Sequence, residues 1–323
     1  MVRVTVGARL HFGFQNLSLA YERLYGGLGV ALESPTVSVE ALPAGEVRCD
    51  DSRAREYARR ATDMLDVPGV ELRVHETLPS HVGLGSGTQL ALTVLAATAR
   101  AYDRRPEIRD DAPTLDRGGR SGVGVSTFER GGFVVDAGHP TERFTTDRPS
   151  RGEWAVPPVV ARHTIPEEWR FVVVLPEAKP GRNGDGEDES IRTVVERADP
   201  AISDDISVML LRRVLPAIVE DDPETFGAGI AEIGRLNGAW YADEQGGVYR
   251  PPVGELVTDM EESSSIFGAG QSSWGPAVYG VTTRNEGDAA IEAAQAALDS
   301  AGVGGEVRIA RPRNTGASIN GKR

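Results

Sequence analysis

Cysteine is nearly absent from this chain: Cys49 is the single one. One thiol closes no intrachain disulfide and builds no multi-thiolate metal cluster. Lysine is almost as scarce, with only Lys179 and Lys322 among 35 basic residues. Long apolar runs are missing, and nothing approaches the length that spans a bilayer. The N-terminus, Met1-Val-Arg-Val-Thr-Val6, reads as a strand and lacks a signal-peptide pattern. These absences describe a soluble, cytoplasmic chain. Scarce Lys beside 48 acidic residues and a net charge of −13 suits a protein hydrated in concentrated salt. That favours a halophilic, haloarchaeal source, although a GC-rich bacterial genome also prefers Arg to Lys. The acidic balance argues against nucleic acid, whose phosphates it repels. Local Arg clusters leave small anionic substrates open, because salt screens the net field. No internal repeat is visible.

What is present centres on Pro79-Ser-His-Val-Gly-Leu-Gly-Ser-Gly-Thr-Gln-Leu-Ala91. Val70 to Glu76 alternates like a half-buried strand ahead of it, and Gln89 to Ala101 follows with helical spacing. Strand, glycine turn and helix start aim unpaired backbone N–H groups and a helix dipole at one point. Gly83, Gly85 and Gly87 let the backbone curl around a bulky anion. Ser86 and Thr88 add hydroxyls that can donate or reach Mg²⁺. The segment is neither G-x-x-x-x-G-K-[ST], having no Lys, nor G-x-G-x-x-G. A tight strand–helix connection accounts for the glycines equally well.

The 323 residues suffice for two domains sharing a cleft. The composition divides them near 150 to 165, giving units of 1–155 and 156–312 and a frayed tail over 313–323. The first unit reads as strands at 2–10, 28–40 and 70–76, a helix at 52–66, the loop and helix at 79–102, and a hairpin at 123–136. Residues 146–152 form a polar connector. A strand at 169–175, an acidic loop at 181–189 and helices at 202–221, 223–241 and 252–263 follow. Strands at 265–268 and 276–283, a helix at 286–300 and a strand at 305–310 close the chain. A homodimer is the default for an enzyme of this size.

Three further constellations stand out. Arg9 and His11 leave the first strand together, and Glu22, Arg23 and Tyr25 precede Gly26-Gly-Leu-Gly29. A long-looped hairpin explains the glycines but not this density of functional groups. Next, Gly118-Gly-Arg-Ser-Gly-Val-Gly124 surrounds Arg120 and Ser121 with glycines, Gly122 among them, as a second anion site would. Two successive hairpin turns are the alternative. Last, Phe267-Gly-Ala-Gly-Gln-Ser-Ser-Trp-Gly-Pro276 offers Gly270 amides, the donors Gln271, Ser272 and Ser273, and the flat face of Trp274. A packed β-turn is the alternative there.

Pro79, Gly83, Leu84, Gly85 and Ser86 resemble the P-x-x-x-G-L-G-S-S-A segment of the GHMP superfamily, with Gly87 for the second Ser. Arg9 to Gly29, Pro79 to Ala91 and Gly268 to Tyr279 fall where that superfamily carries its three motifs. Gly-Leu-Gly-Ser-Gly-Thr-Gln-Leu-Ala, Arg-Ser-Gly-Val-Gly and Gly-Ala-Gly-Gln-Ser-Ser-Trp-Gly-Pro look like the β-ribofuranosylaminobenzene 5′-phosphate synthase branch. The resemblance implies an α+β fold: a ribosomal-S5-like N-terminal domain and a ferredoxin-like C-terminal domain. It also implies a pentosyltransferase of methanopterin biosynthesis. Such enzymes condense phosphoribosyl pyrophosphate with 4-hydroxybenzoate or 4-aminobenzoate, releasing CO₂ and pyrophosphate. Under it, Arg9, Arg23 or Arg120 holds a carboxylate or the 5′-phosphate, and Trp274 or Tyr25 faces the ring. Glu129 or Asp136, with Ser86, takes Mg²⁺; a strand-edge charge is the equal alternative for either carboxylate. GHMP kinases often place an Asp after Ser-Gly-[Val/Ile] to activate the accepting hydroxyl; Gly124 holds that position here. Losing such a base removes about 10²–10⁴-fold in rate. An ATP-dependent kinase is thus the second reading, and a non-catalytic phosphosugar or nucleotide binder the third.

Overall fold

Alternate residues of the first strand are apolar, which commits Val2, Val4, Val6, Ala8, Leu10 and Phe12 to one buried face. The computed structural model describes residues 1–144, 150, 152–181 and 185–321. The chain begins with β1 (Val2–Asn16), β2 (Arg23–Pro43), α1 (Ser52–Leu65), β3 (Val70–Glu76), α2 (Ser86–Ala101) and α3 (Ile108–Asp111). Then come α4 (Val123–Arg130), β4 (Phe133–Asp136), β5 (His139–Pro140) and β6 (Val159–His163). The second half holds β7 (Trp169–Pro176), α5 (Asp185–Val195), α6 (Pro200–Met209), α7 (Leu215–Glu220), α8 (Pro223–Gln245) and α9 (Val253–Glu261). It ends with β8 (Ala269–Gln271), β9 (Val278–Thr283), α10 (Gly287–Ser300), β10 (Gly305–Ala310) and β11 (Ser318–Gly321).

Two sheets organise these elements. The first runs β11-β1-β2-β4-β6, with β3 and β5 also paired to the long β2. Helix α2 packs on it and on α1, and every residue from Gln89 to Ala99 is buried. An apolar surface all round is what such a central helix requires. The second sheet runs β10-β7-β9-β8 and is antiparallel throughout. Helices separate β7 from β8 and β9 from β10, which is the split-βαβ, ferredoxin-like arrangement. Phe12 of β1 joins the halves, its ring 4.9 Å from Tyr279 of β9 and 6.3 Å from Phe226 of α8. Among the described residues, no helix is long and apolar enough to cross a membrane.

Several sequence expectations need correction. The hairpin at 123–136 is helix α4 followed by strand β4. Val123 to Phe128 are all buried, and so short an apolar run carries no decisive period. Gly131 caps the helix, its N–H donating to Thr127 O at 3.0 Å. The acidic loop at 181–189 becomes α5 from Asp185 onward; residues 182–184 lie outside the described residues, as does most of the connector at 146–152. Strands β1 and β2 extend well beyond 2–10 and 28–40, so the loop between them shrinks to a few residues. The first sheet continues past 155, because β6 pairs with β4. The tail is not frayed as far as Gly321, for β11 pairs with β1 in register Val2 to Gly321.

Candidate functional site

The glycine loop is held open by its neighbours. Gly83 and Gly85 adopt φ of 96° and 77°, a region that side chains with a Cβ rarely occupy. A Cβ on Gly83 would sit 2.2 Å from Ser272 O, and one on Gly85 2.8 Å from Arg9 Cγ. The first bond of α2 runs from Gln89 N–H to Gly85 O at 3.0 Å. The N–H groups of Ser86, Gly87 and Thr88 therefore have no acceptor within the helix. They open on a cleft of about 970 Å³.

Strand β1 and the turn after β8 clamp this loop from two sides. Arg9 donates from its backbone to Leu84 O at 3.2 Å and from Nη1 to Gly83 O at 2.8 Å. Ser272 is fully buried; its Oγ donates to Gly83 O at 2.8 Å and accepts from His11 N–H at 3.0 Å. Ser273 N–H donates to His11 O at 3.0 Å, and Ala277 N–H to Val82 O at 2.9 Å. Gln271 braces the turn from within through Ser273 O at 2.9 Å. Gly270 lies inside β8, where the Tyr279 hydroxyl leaves no room for a Cβ. Ser273 and Trp274 do reach the cleft, Trp274 edge-on to Tyr241 at 4.8 Å.

A polar cluster forms the far wall. His11, on β1, has Nε2 3.1 Å from Ser121 Oγ, and Ser121 Oγ donates to Asp136 Oδ2 at 3.2 Å. Asp136, at the end of β4, is fully buried and accepts from Gly122 N–H at 2.7 Å and Gly138 N–H at 2.8 Å. Burial pushes its carboxyl up to about 6, against the pull of the Gly138, Gly27 and Gly122 amides and the Ser121 hydroxyl. Burial, aided by the nearby Arg9 cation, holds the His11 imidazole well below its ordinary value, so it is neutral at pH 7. Tyr25 lines the cleft near Phe14, ring centres 5.6 Å apart, and burial raises its phenol.

The structure therefore gathers most of the expected residues. Arg9, His11, Tyr25, Arg120 and Ser121 line the cleft opposite Ser86, Gly87 and Thr88. Arg120 is ion-paired with Asp188 of α5 at 3.1 Å. Gly122 serves through its amide alone. Three residues lie elsewhere. Arg23 donates to Ala137 O and Gly138 O, which turns its guanidinium onto the backbone, and it does not line the cleft. Glu22 is exposed, off the cleft. Glu129 lies off the cleft and pairs with Arg109 at 2.8 Å, and Asp136 is engaged by four donors.

Sequence reasoning missed Arg117. Its guanidinium lies 5.4 Å over the Tyr57 ring and donates to the Tyr57 hydroxyl. Nη1 is 3.1 Å from where a Gly87 Cβ would stand, beside the open end of α2, and Nε is buried without a hydrogen-bond partner among the described residues. Its signal was an Arg directly before Gly118-Gly119. Gly124 also lines the cleft, in the first turn of α4; a Cβ there would stand 3.0 Å from the Thr88 methyl. Where kinases often carry a carboxylate, the space is taken by Thr88.

Comparison with known proteins agrees with this geometry. Residues 52–132, from α1 to the end of α4, match the family described as GHMP kinases N terminal domain. The beta-ribofuranosylphenol 5′-phosphate synthase of Methanothermobacter thermautotrophicus is 34% identical over 307 residues, covering 89% of this chain and 90% of that protein. The chain belongs to this synthase family. The family's enzyme from Archaeoglobus fulgidus is 32% identical, with 89% of this chain and 90% of that one covered. Family membership and fold lead in the same direction. L. major mevalonate kinase in complex with R-mevalonate superposes with a TM-score of 0.68 over 97% of each chain, at 12% identity. That likeness is one of fold: an α+β, GHMP-type architecture.

Proposed function

We propose that this chain is a pentosyltransferase that joins a ring carbon of 4-hydroxybenzoate or 4-aminobenzoate to C1 of phosphoribosyl pyrophosphate, with loss of pyrophosphate and CO₂. The observation that carries the reading is the pairing of an intact anion cradle with an absent kinase base. Three open amides of α2, Arg9 and Arg117 converge on one cleft, while Gly124 offers no carboxylate to an accepting hydroxyl. Pyrophosphate leaving C1 carries several negative charges, and preorganised amides, a helix dipole and guanidinium groups stabilise them where they develop. The sugar is left as an oxocarbenium ion. The ring carbon bearing the carboxylate bonds to C1, and CO₂ departs to restore aromaticity. Phe14, Tyr25 and Trp274 supply apolar faces for the ring.

The donor set of the cleft suits Mg²⁺ carried on the pyrophosphate. Such an ion takes most ligands from phosphate and water and needs only one or two from protein. Among the described residues no three His, Cys, Asp or Glu converge as a metal cage, but Asp116 and the Ser86 hydroxyl line the cleft and would hold it. When bound, the ion would neutralise leaving-group charge.

The test is an assay of purified protein with phosphoribosyl pyrophosphate, Mg²⁺ and each benzoate. It is run in molar KCl, because a net charge of −13 self-repels at low salt. Equal amounts of CO₂ and pyrophosphate are expected, and the productive benzoate names the acceptor. Silence there, with ADP formed from ATP and a polyol, would mean a kinase.

A further inference from the structure

Resting on the synthase reading, the geometry points to a three-member proton relay in which His11 takes the proton of the acceptor's ring hydroxyl or amine and passes one through Ser121 to Asp136. Ser121 has a single hydroxyl hydrogen, and it goes to Asp136 Oδ2 at 3.2 Å. Its oxygen accepts from Val123 N–H at 3.2 Å. The remaining contact, His11 Nε2 at 3.1 Å, must then be an N–H donor. That fixes the tautomer: Nδ1 carries the lone pair. Nδ1 has no hydrogen-bond partner among the described residues, and His11 lines the cleft. The ring cannot swing away, because Ser272 and Ser273 hold the backbone on both sides and Phe14 packs edge-on at 5.2 Å.

The chemistry needs such a device. Carbon attack on C1 draws electrons from the ring, and a neutral phenol or amine becomes strongly acidic as it does so. In the forward step the substrate O–H or N–H bond breaks and Nδ1–H forms. Nε2–H breaks as Oγ–H forms on Ser121, and the original Oγ–H breaks as Oδ2–H forms on Asp136. The electron pair freed at the substituent feeds the ring, whose carboxylate-bearing carbon bonds to C1 while pyrophosphate leaves with the C–O pair. Loss of CO₂ returns the C–C pair to the ring, and the relay runs backward to reprotonate the product. Burial disfavours a lasting imidazolium and raises Asp136 above an ordinary carboxyl, so Asp136, ionised at rest to accept from Ser121, is where the relay ends. His11 is the catalytic residue here; Ser121 and Asp136 act through it.

Ring-fluorinated 4-hydroxybenzoates, whose phenols ionise more readily, separate this role from a structural one. Wild type, Ser121→Ala and His11→Asn are assayed for pyrophosphate release across the series, with thermal melts to confirm folding. With 4-hydroxybenzoate, each variant is expected to lose about 100-fold in kcat, with KM for phosphoribosyl pyrophosphate little changed. The ratio of wild type to variant should shrink below about tenfold for a phenol already ionised in solution, which has no proton to give. An equal loss across all phenols, or no loss, overturns the relay while wild-type turnover keeps the synthase reading standing. If Ser121→Ala fails to fold, His11→Asn alone decides by the same criterion. No turnover by wild type with either 4-hydroxybenzoate or 4-aminobenzoate overturns the synthase reading, and the relay falls with it; turnover of 4-aminobenzoate alone keeps that reading and moves the same comparison to ring-fluorinated 4-aminobenzoates.

Discussion

At the scale of single residues, burial sets the charge states of the site in opposite senses. Asp136 is raised from 3.8 to about 6, so between these values the folded protein holds a proton that the unfolded chain has released. Stability then falls as pH rises through that window, by up to about 3 kcal/mol from this group. His11 works the other way: its depressed value costs stability as pH falls below 6.5. His11 titrates across the same window in the opposite sense, so the first effect is read as the difference between wild type and Asp136→Asn in urea midpoints at about pH 4 and about pH 6.5. Asp136→Asn should remove that component of the slope, and an unchanged slope would place the titration elsewhere. Arg117 gives a second residue-scale outcome. Its guanidinium is prepositioned on Tyr57 beside the open end of α2. Arg117→Ala should raise KM for phosphoribosyl pyrophosphate by about 10–100-fold, the worth of one or two charge-assisted hydrogen bonds, and leave the benzoate KM near wild type.

At the scale of elements, the decisive unit is the loop with α2. Gly85→Ala places a methyl against Arg9 Cγ at a φ of 77°. A cost of about 1–2 kcal/mol is expected, together with weaker pyrophosphate binding as the first turn shifts; calorimetry with pyrophosphate reads both. This loop was legible in the sequence because its glycines recur at every second position, 83, 85 and 87, between a period-2 and a period-3.6 pattern. Arg9 and His11 were legible for the same local reason. Arg117 and the far wall were harder to read. His11, Ser121 and Asp136 meet only because β1, the start of α4 and β4 converge across more than a hundred residues. Helix α4 was misread as a strand because six consecutive buried residues erase the polar face that reveals a helix. Glu129 looked like a ligand since nothing local shows that Arg109 neutralises it.

At the scale of the whole molecule, the two ends of the chain meet. Arg313 N–H donates to Ala31 O at 2.9 Å, Gly132 N–H donates to Arg313 O at 2.7 Å, and Asn314 brackets Ile165 with two bonds of 2.8 Å. Strand β11 then covers the open edge of β1. Truncation after Arg311 should lower the melting temperature by roughly 5–10 °C, several hydrogen bonds being lost at about 1 kcal/mol each. The uncovered β1 edge should also promote association, visible by light scattering. A truncated chain with unaltered melting would show that the tail is an ornament.

The Ser272 hydroxyl, which ties β1 to the glycine loop, carries a consequence for how the enzyme comes into being. Arg9, His11 and the loop leave the ribosome well before Ser272, which follows Gly83 by 189 residues and His11 by 261. The clamp that fixes them against each other is thus the late part of the site. Until that segment has been made, a nascent chain exposes no finished phosphate trap to the nucleotides around it.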